Sequence, residues 1–453
     1  MSEYTIPAKE KIVRDESSKL KVIVVGAGLG GLGAAIAILL AGHDVLVLES
    51  ASEIAEVGAG IQVLPNSSRV LQTWGMKPSL SQYATAPKQL NMLSWRGSLI
   101  SSMDFHASAS LYPGTFYWDF HRANLHKCLY NRCIELGGTV RCNARVTSVS
   151  ITPDTLSASV VLFTGEILTT DLLVGADGIN SHLRELLLGY PDPPTPTGDL
   201  AYRLLLSTSS ILSDPELAPF ITSPQVNYWL GPRAHAVNYV LRGGELFNMV
   251  LLVPDDMPLD GASTLAGNVE EMRALFQDWD PRIGKLLSLC ESVYKWRLCT
   301  RSGMDSWSHA SGAWTMLGDA VHATLPYLAS GAGMALEDGA VLGECLGRMK
   351  GRSAEEKRVA LGVYERCRKG RTEMVVERGN LQQYLYHLED GEEQEERDRR
   401  MRMVPTEAGE ALAWRDPELS PRLLGYDHVK DVEANWPQEQ EQQPEQEQIQ
   451  SRL

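Results

Sequence analysis

The clearest pattern in the chain is a continuous run of β-branched and apolar residues, Lys21–Val25, followed by a glycine-rich break. A run without polar alternation is typical of a strand that is buried on both faces of a parallel sheet. The apolar stretch from Leu32 to Ala41 then predicts a buried helix, and Asp44 to Leu48 predicts a second strand. Together these segments predict a β-α-β unit of about thirty residues near the start of the chain.

Two groups of strands follow this unit. Short strands are predicted at Thr139–Val149, Leu156–Phe163 and Asp171–Gly175. From about residue 200 to 253, runs of strand formers are separated by short polar or glycine-bearing breaks, which is typical of an antiparallel sheet. These runs are Tyr202–Leu206, Val226–Leu230, Ala236–Leu241 and Leu246–Val253, with a hairpin turn predicted at 242–245.

The last third of the chain changes from helical periodicity to a charged segment. Helices are predicted at Leu336–Lys350 and Glu355–Leu388. From Gly391 onward the chain carries 16 acidic and 8 basic side chains, and residues 437–450 are almost entirely glutamine, glutamate and proline. Such a composition offers too little apolar surface to offset the entropy of ordering. We therefore expect residues 391–453 to form an acidic, partly disordered tail.

Composition and charge narrow the classes of protein to consider. The 453 residues suffice for two or more packed units, and 43% hydrophobic residues exclude disorder for the bulk of the chain. The net charge of −15 repels phosphate backbones, which argues against a nucleic-acid partner. The seven cysteines are scattered without metal-ligand spacing, so no metal site is predicted. Because no run resembles a secretory leader or a transmembrane segment, the sequence predicts a cytoplasmic protein.

The break after the first strand has the pattern Gly26-x-Gly28-x-x-Gly31. Between a strand and a helix, the first glycine makes a tight turn and the second lets a pyrophosphate approach the backbone. The third lets helix and strand pack closely, and the helix N-terminus offers amides to the diphosphate. Glu49 ends the next strand, where it can accept from both ribose hydroxyls and would repel a 2′-phosphate. The pattern predicts an FAD or NAD site; a strand-turn-helix without a ligand is the alternative.

Two distant segments favour FAD. One predicted strand ends in Asp177-Gly178, and another ends in Gly318-Asp319 and continues to Gly331-Ala332-Gly333. Together with the first motif, over about residues 20–390, these segments resemble the single-component FAD-dependent aromatic monooxygenases. That family includes para-hydroxybenzoate and salicylate hydroxylases and a fungal natural-product branch. The resemblance implies bound FAD, with NAD(P)H as a transient reductant, since only one Rossmann phosphate loop is found.

The resemblance also implies roles around the flavin. Asp319 would accept a hydrogen bond from a ribityl hydroxyl, and the helix beginning near Gly331 would turn its positive end to the flavin N1–C2=O edge. Many family members carry glutamine at or beside Ala332, so here the flavin edge would rely on backbone donors. The predicted cofactor-binding residues are Gly26, Gly28, Gly31, Glu49, Ala59, Gly60, Arg122, Asp177, Asp319, Gly331, Ala332 and Gly333.

Three of these residues follow from shorter matches. The loop Glu56–Ile61 resembles the family loop beside the isoalloxazine, where small residues such as Ala59 and Gly60 allow the ring to swing. Arg122 matches the family arginine that reaches the ribityl and pyrophosphate region. Its alternative is a surface arginine that caps the following helix.

The substrate side depends on two residues of the predicted antiparallel sheet. Arg203 alternates with Ala201 and Leu205, so its charge points among apolar neighbours and needs a partner. In fungal relatives, an arginine in a matching Tyr-Arg segment and a tyrosine in a matching strand hold the substrate oxygen. Arg203 and Tyr239 are therefore the predicted catalytic residues. The alternatives are a structural ion pair for Arg203 and a satisfied core tyrosine for Tyr239.

The predicted fold is α/β: a Rossmann-like FAD-binding domain interrupted by an antiparallel β-sheet substrate domain, with a C-terminal helix. The FAD-binding domain is assigned to 20–75, 111–195 and 296–350, and the substrate domain to 76–110 and 196–295. The remaining segments are a flexible lead-in at 1–19, a helical segment at 351–390 and the tail at 391–453.

The function implied by the resemblance is an FAD-dependent monooxygenase of secondary metabolism. It would use NAD(P)H and O2 to hydroxylate or epoxidise an electron-rich aromatic through a flavin C4a-hydroperoxide. The sequence does not distinguish a phenolic polyketide from an indole alkaloid, NADPH from NADH, or one oligomeric state from another. The alternatives are a flavin oxidase or dehydrogenase, and a flavin-binding protein without turnover. His235 and His322 are candidates for proton shuttles, with a local structural partner as the alternative for each.

Overall fold

The structure is a computed structural model that describes residues 5–54, 58–153, 156–259, 261–404 and 408–437. In chain order the strands are β1 (Lys21–Val25), β2 (Asp44–Leu48), β3 (Gly60–Val63), β4 (Gln89–Ser94), β5 (Leu99–Asp104), β6 (Trp118–His121), β7 (Thr139–Arg141), β8 (Val146–Thr152), β9 (Ser157–Leu162), β10 (Ile167–Thr170), β11 (Leu172–Gly175), β12 (Thr195–Ser207), β13 (Val226–Gly231), β14 (Ala234–Leu241), β15 (Leu246–Pro254), β16 (Thr264–Gly267), β17 (Val293–Thr300) and β18 (Trp314–Met316).

The helices alternate with strands at first and dominate the last third of the chain. They are α1 (Leu29–Leu40), α2 (Pro65–Thr73), α3 (Lys77–Ser81), α4 (Phe105–Ser110), α5 (Arg122–Glu135), α6 (His182–Leu188), α7 (Thr208–Ser213), α8 (Pro219–Thr222), α9 (Val269–Leu275), α10 (Pro281–Ser288), α11 (Asp319–His322), α12 (Gly331–Gly347), α13 (Ala354–Tyr386), α14 (Glu392–Arg402), α15 (Leu419–Leu424) and α16 (His428–Asn435). None of the helices in the described ranges combines the length and apolar character that a bilayer crossing requires.

A five-stranded parallel sheet forms the first layer, in the order β18-β11-β1-β2-β7. The central strand β1 is buried from Val22 to Val25, as its continuous apolar run predicts. α1 packs tightly against α12: a Cβ on Gly339 would lie 2.7 Å from the backbone nitrogen of Ala34. This layer is the predicted Rossmann-like unit, and the loops after β1 and β18 leave the same edge of the sheet, on either side of β11.

An eight-stranded sheet forms the second layer, in the order β16-β17-β12-β15-β14-β13-β4-β5. Its neighbouring strands are antiparallel except β13 and β4, which are parallel. Arg203 lies opposite Val250 and Tyr239 opposite Asn248, so these side chains share one face of the sheet. This inner face lines the cleft described below, while the opposite face packs on α9 and α10. The predicted fold class is confirmed, and the exact domain limits stay a proposal.

The segment before β1 differs from the predicted flexible lead-in. The backbone amides of Lys9 and Ile12 bond to carbonyls of α2 and α1. The Arg14 guanidinium caps the C-terminal ends of α1 and α12. The last carbonyls of a helix have no hydrogen-bond partner within the helix. It donates to the carbonyls of Ala41, Leu346, Gly347 and Met349. Residues 5–19 are therefore attached by a polar side chain whose partners lie far along the sequence. Residues 1–4 lie outside the described residues.

The prediction of disorder after Gly391 is wrong for residues 391–404 and 408–437. α14, α15 and α16 lie in this segment, and Met401, Trp414 and Leu424 are buried in the same apolar cluster as residues of the eight-stranded sheet. The average composition of the segment is highly charged and does not reveal these few large apolar side chains. They are the residues that pack into the apolar cluster. On α14, Glu396 pairs with Arg399 and Arg400, so much of the charge is locally neutralised. Residues 405–407 and 438–453 lie outside the described residues.

A buried ionic network joins α12 to α13 and to the loop before α11. The Arg368 Nε donates to the Asp338 carboxylate at 2.8 Å. The other carboxylate oxygen of Asp338 lies 2.5 Å from His322 Nε2 and accepts from the Gly318 amide at 2.9 Å. Burial alone would raise the pKa of Asp338, but His322 and Arg368 outweigh it and lower the pKa to about 2. The network fixes Gly318, next to the predicted site residue Asp319.

We expect Asp338→Asn to lower the free energy of unfolding by about 2 kcal/mol at neutral pH, because Arg368 loses one of its two buried carboxylate partners and keeps only Glu337. The folded-state pKa of Asp338 lies below its usual value of 3.8. Its stabilisation is therefore present above about pH 4 and is lost as the pH falls toward 2. Urea unfolding of both proteins across this range measures the difference. Asp278→Asn, at an exposed carboxylate, is the control. If the difference in unfolding free energy between the two proteins stayed constant as the pH fell, it would contradict the role given to the Asp338 carboxylate.

Candidate active site

A cleft of about 330 Å³ lies between the parallel sheet and the inner face of the eight-stranded sheet. This volume lies within the range of about 300–1,000 Å³ that is usual for ligand sites. The predicted site residues that line it are Gly28, Ala59, Gly60, Arg122, Arg203, Tyr239, Asp319, Gly331 and Ala332. A second hollow shares Gly28 with the cleft and is lined by Gly26, Glu49 and Asp177. Segments far apart in sequence thus meet at one place.

The three motif glycines have different steric reasons to be glycine. Gly26 has a φ of +107°, and a Cβ there would lie 2.3 Å from the Ala176 carbonyl oxygen. A Cβ on Gly31 would lie 1.9 Å from the Gly26 carbonyl oxygen. Gly28, in contrast, faces open space and has an ordinary φ of −70°. It precedes α1, whose N-terminus has no side-chain cap. This leaves a cradle with helix amides, suited to a pyrophosphate.

The two substitutions Gly28→Ala and Gly31→Ala should therefore separate cofactor binding from folding. In Gly28→Ala the new methyl group enters the cradle but touches no protein atom, so the protein should fold normally. Its FAD affinity should fall about tenfold or more, since overpacking costs about 1–3 kcal/mol. Gly31→Ala should lower the melting temperature of the FAD-free protein as well. Flavin titration and thermal unfolding measure both effects. Equal losses of FAD-free stability in the two variants would contradict this difference.

The two acidic residues of the second hollow are held by local hydrogen bonds. Glu49 accepts from the amides of Ala27 at 2.9 Å and Ala51 at 2.8 Å. Burial opposes ionisation of Glu49, but these amides outweigh it and lower its pKa, so it is a carboxylate that can accept from ribose. Asp177 instead bonds to Ser181 and to the Leu183 amide, and burial raises its pKa. Its oxygens are thus engaged at the start of α6, and a direct cofactor contact stays a prediction.

At the other end of the cleft, two features fit the flavin ring and its ribityl chain. Asp319 is exposed to the cleft, and its carboxylate makes no hydrogen bond to any described residue, so it can accept one from a ligand. α12 begins at Gly331 without a side-chain cap or an acidic residue in its first turn. Its amides and positive end therefore face the cleft near Ala332. With the pyrophosphate cradle, these groups fit FAD along the length of the cleft.

The predicted flavin loop approaches the substrate sheet closely. The Gly60 amide donates to Asn248 Oδ1 at 2.7 Å, and a Cβ on Gly60 would lie 2.4 Å from the Tyr239 ring. Only glycine allows this approach. Arg122 begins α5, and its amide bonds to the Ala59 carbonyl, which places its side chain at the cleft wall. Of the predicted loop, Glu56 and Val57 lie outside the described residues.

Arg203 lies on the inner face of the eight-stranded sheet among apolar neighbours. Its guanidinium lies 5.3 Å from the centre of the Trp296 ring. No carboxylate of the described residues lies within ion-pair distance, and its buried Nε has no hydrogen-bond partner there. Burial lowers the pKa of Arg203, and nearby Arg122 lowers it further, yet an arginine stays charged at neutral pH. The structure therefore gives no support to the ion-pair alternative and leaves a cation facing the cleft.

Tyr239 is buried at the same wall of the cleft. Burial raises the pKa of its hydroxyl, so it stays protonated and can donate a hydrogen bond. Within the described part of the chain, this hydroxyl has no hydrogen-bond partner, which disfavours the satisfied-core alternative. Arg203 and Tyr239 thus offer a cation and a neutral donor to the same space.

Sequence reasoning missed one carboxyl group beside this wall. Asp119 on β6 is 1% exposed and accepts from Gln62, which lines the cleft. Burial raises the pKa of Asp119 well above its usual value, so it is a neutral acid. The sign of this buried carboxyl group in the sequence is a single acidic residue in a short strand that is mostly aromatic. Among the described residues, no cluster of histidine, cysteine or acidic side chains is arranged to hold a metal ion.

Comparison with known proteins agrees with this geometry. Residues 19–379 match the family model described as "FAD binding domain". The FAD-dependent monooxygenase OpS4 of Beauveria bassiana is 43% identical over 420 residues, which cover 90% of this chain and 96% of that protein. The 3-amino-4-hydroxybenzoate 2-monooxygenase of Streptomyces cremeus is 34% identical over 403 residues, covering 87% and 94%. Hispidin-3-hydroxylase of Neonothopanus nambi is 32% identical over 432 residues, covering 90% and 94%.

Solved structures share the fold. CtdE in complex with FAD and a substrate superposes with a TM-score of 0.77 at 21% identity, covering 92% of this chain and 97% of that one. A salicylate hydroxylase substrate complex gives 0.75 at 23% identity, covering 92% and 98%. At these identities the likeness concerns the fold.

Proposed function

The chain belongs to the FAD-binding-domain family of FAD-dependent monooxygenases, and we propose that it hydroxylates a phenolic aromatic compound, with NAD(P)H as reductant and O2 as oxidant. FAD is its cofactor, and the reduced flavin supplies the activated oxygen. The C4a-hydroperoxide route and a place in secondary metabolism are part of this proposal. Both follow from the family resemblance and the fungal relatives.

One observation carries the choice of substrate: Arg203 is a charged group in an apolar wall, without a hydrogen-bond or ion-pair partner among the described residues. A buried guanidinium without a partner is costly, and its planar fork is suited to an oxygen that carries negative charge. A phenol that loses its proton supplies such an oxygen. Ionisation also makes the ring more electron-rich, which is what oxygen insertion requires.

The residues of this chain would bind and orient the two reactants. The cradle at Gly28 and the amides at the start of α12 would hold the FAD diphosphate and the flavin edge. Arg203 and Tyr239 would hold the phenolic oxygen, so that the ring carbon beside it faces the flavin. The apolar face of the sheet would exclude water and so limit loss of activated oxygen as peroxide.

The names of the relatives favour a phenol over an indole. The Streptomyces cremeus relative acts on 3-amino-4-hydroxybenzoate, and a relative from Polaromonas naphthalenivorans, 32% identical, is a 3-hydroxybenzoate 6-hydroxylase. Both names describe hydroxylated aromatic rings. Epoxidation of an indole is kept as an outcome of the test.

The test is turnover on two substrate panels. Purified holoenzyme is mixed with NADPH or NADH in air, with a panel of phenols and, separately, with prenylated indoles. We expect at least one phenol to accelerate nicotinamide oxidation and to yield a product with an added hydroxyl group. Turnover of indoles alone would change the substrate class. Flavin reduction by the substrate alone, without air or nicotinamide, would identify an oxidase or dehydrogenase instead.

A further inference from the structure

A row of four paired residues crosses the inner face of the eight-stranded sheet. Arg203 pairs with Val250, Val250 with Val237, and Val237 with Tyr228, on the neighbouring strands β12, β15, β14 and β13. Directly paired residues share one face of a sheet. Because neighbouring strands lie about 4.8 Å apart, the Cα atoms of Arg203 and Tyr228 are separated by about 14 Å. All four residues line the cleft, so the two valines form an apolar floor between two polar ends.

The hydroxyl of Tyr228 is available to a ligand. The residue is 3% exposed, and its ring packs against Tyr386 and Trp414 at centroid distances of 5.7 and 6.4 Å. The hydroxyl has no hydrogen-bond partner among the described residues, and it is not one of the fully enclosed atoms without a partner, so it opens on the cleft. Burial raises the pKa of Tyr228 well above its usual value. At neutral pH the hydroxyl is therefore protonated and can donate a hydrogen bond.

Gln62 adds an amide group to the same end of the cleft. Its Nε2 donates to the Asp119 carboxyl at 3.2 Å, which fixes the orientation of this side chain at the cleft wall. Asp119 lies close enough to Tyr228 and Tyr239 to add to the rise in pKa that burial causes at both hydroxyls. The rest of the Gln62 amide has no hydrogen bond to any described residue. It can therefore bond to a ligand beside Tyr228.

This end of the row carries no positive charge. Arg122 and Arg203 are the only lysine or arginine side chains of the described residues that line the cleft, and Arg122 is near enough to Arg203 to add to the fall in its pKa caused by burial. The groups that influence the pKa of Tyr228 are Tyr386, Tyr239 and Asp119, and none of them is a cation. His235 also lies here, with Nδ1 at 2.8 Å from Nε2 of His387, and burial lowers its pKa well below the usual value, so it is neutral.

We propose that Tyr228 and Gln62 form a second binding point, which holds an uncharged oxygen of the substrate on the side of the ring away from the phenolic oxygen. This inference rests on the proposed function and narrows the substrate to phenols with a carbonyl or a second hydroxyl group at the meta or para position. A carbonyl oxygen accepts from Tyr228, and a hydroxyl group can also donate to Gln62.

A carboxylate at this place would be disfavoured, because its negative charge would be buried without a cation. Two relatives are named for reactions of hydroxybenzoates, which carry a carboxylate on the ring. The neutral end of the row would therefore distinguish the substrates of this chain from theirs.

The test is the binding of three phenols of similar shape to the holoenzyme at neutral pH. They carry an acetyl, an isopropyl or a carboxylate group at the same ring position, in a para and a meta series, and the change in flavin absorbance gives each dissociation constant. In one series, wild type should bind the acetyl compound about tenfold or more tightly than the carboxylate. In Tyr228→Phe, binding of the acetyl compound should weaken about fivefold, the effect of one net hydrogen bond. Binding of the isopropyl compound should not change.

Tyr190→Phe removes the hydroxyl of an exposed tyrosine and is the matched control, with binding like that of wild type. Because the Tyr228 hydroxyl has no internal partner, Tyr228→Phe should also keep the wild-type melting temperature. Equal weakening of the acetyl and isopropyl compounds in Tyr228→Phe would show a packing role alone and overturn the proposal. Wild type that binds the carboxylate as tightly as the acetyl compound in both series would overturn it too. The expected order of binding without hydroxylation of any phenol would support the binding point and overturn the proposed function.

Discussion

Replacing Arg203 with alanine should lower product formation about a hundredfold or more while leaving the flavin content and the fold unchanged. The guanidinium lines the cleft, and its removal breaks no ion pair or hydrogen bond with any described residue, although it loses the contact with the Trp296 ring. Loss of a group that positions a reactant costs on this scale. Nicotinamide oxidation that still occurs should appear increasingly as hydrogen peroxide. Product and peroxide yields per nicotinamide oxidised measure this.

Two further variants make the result specific. Arg203→Lys should recover little activity, because an ammonium group cannot reproduce the planar fork. Arg352→Ala removes an exposed arginine and should change neither activity nor coupling. Loss of FAD or of the folded state in Arg203→Ala would show a structural role. Normal coupling in that variant would move substrate binding elsewhere on the sheet, with Tyr239 the next residue to test.

Truncation after residue 390 should prevent stable folding. It removes Met401, Trp414 and Leu424, which are buried in the same apolar cluster as residues of the eight-stranded sheet. Burial of each such side chain contributes about 1.5–3 kcal/mol, and a domain has a total stability of about 5–15 kcal/mol. Trp414 also contacts the ring of Tyr228, which lines the cleft. Soluble yield, thermal unfolding and flavin content measure the outcome.

Truncation after Pro437 is the matched control, because it keeps every described residue. That shorter protein should retain its flavin and its melting temperature. A stable, flavin-bound protein after truncation at 390 would contradict the packing of α14 to α16.

The parts of the fold that could be predicted are those with a local signal. The strands Lys21–Val25 and Asp44–Leu48 have the predicted bounds, because continuous apolar runs are needed at the centre of a parallel sheet. Helix α12 begins at Gly331 and not at Leu336, since a first turn of glycine and alanine has no apolar periodicity. The predicted strand Thr139–Val149 is divided into β7 and β8, with Asn143 in the left-handed region between them.

The parts that could not be predicted depend on contacts between distant segments. Nothing near His387 in sequence indicates that it lies against His235, 152 positions earlier. The same holds for the neutral acid at Asp119, whose burial comes from neighbouring elements. The average charge of residues 391–453 predicts an acidic, partly disordered tail, but a few large apolar residues such as Trp414 decide the packing of its described part. The predicted site residues that line the cleft could be found from the sequence because they stand in motifs of the family that it resembles.

The most direct test of the central claim is turnover under ¹⁸O2 with NAD(P)H and the preferred phenol, with the product analysed by mass spectrometry. An FAD-dependent monooxygenase should place one labelled oxygen atom in each product molecule, and product should form only when nicotinamide is present. A product whose added oxygen is unlabelled, or that forms anaerobically as the substrate reduces the flavin without nicotinamide, would contradict the account.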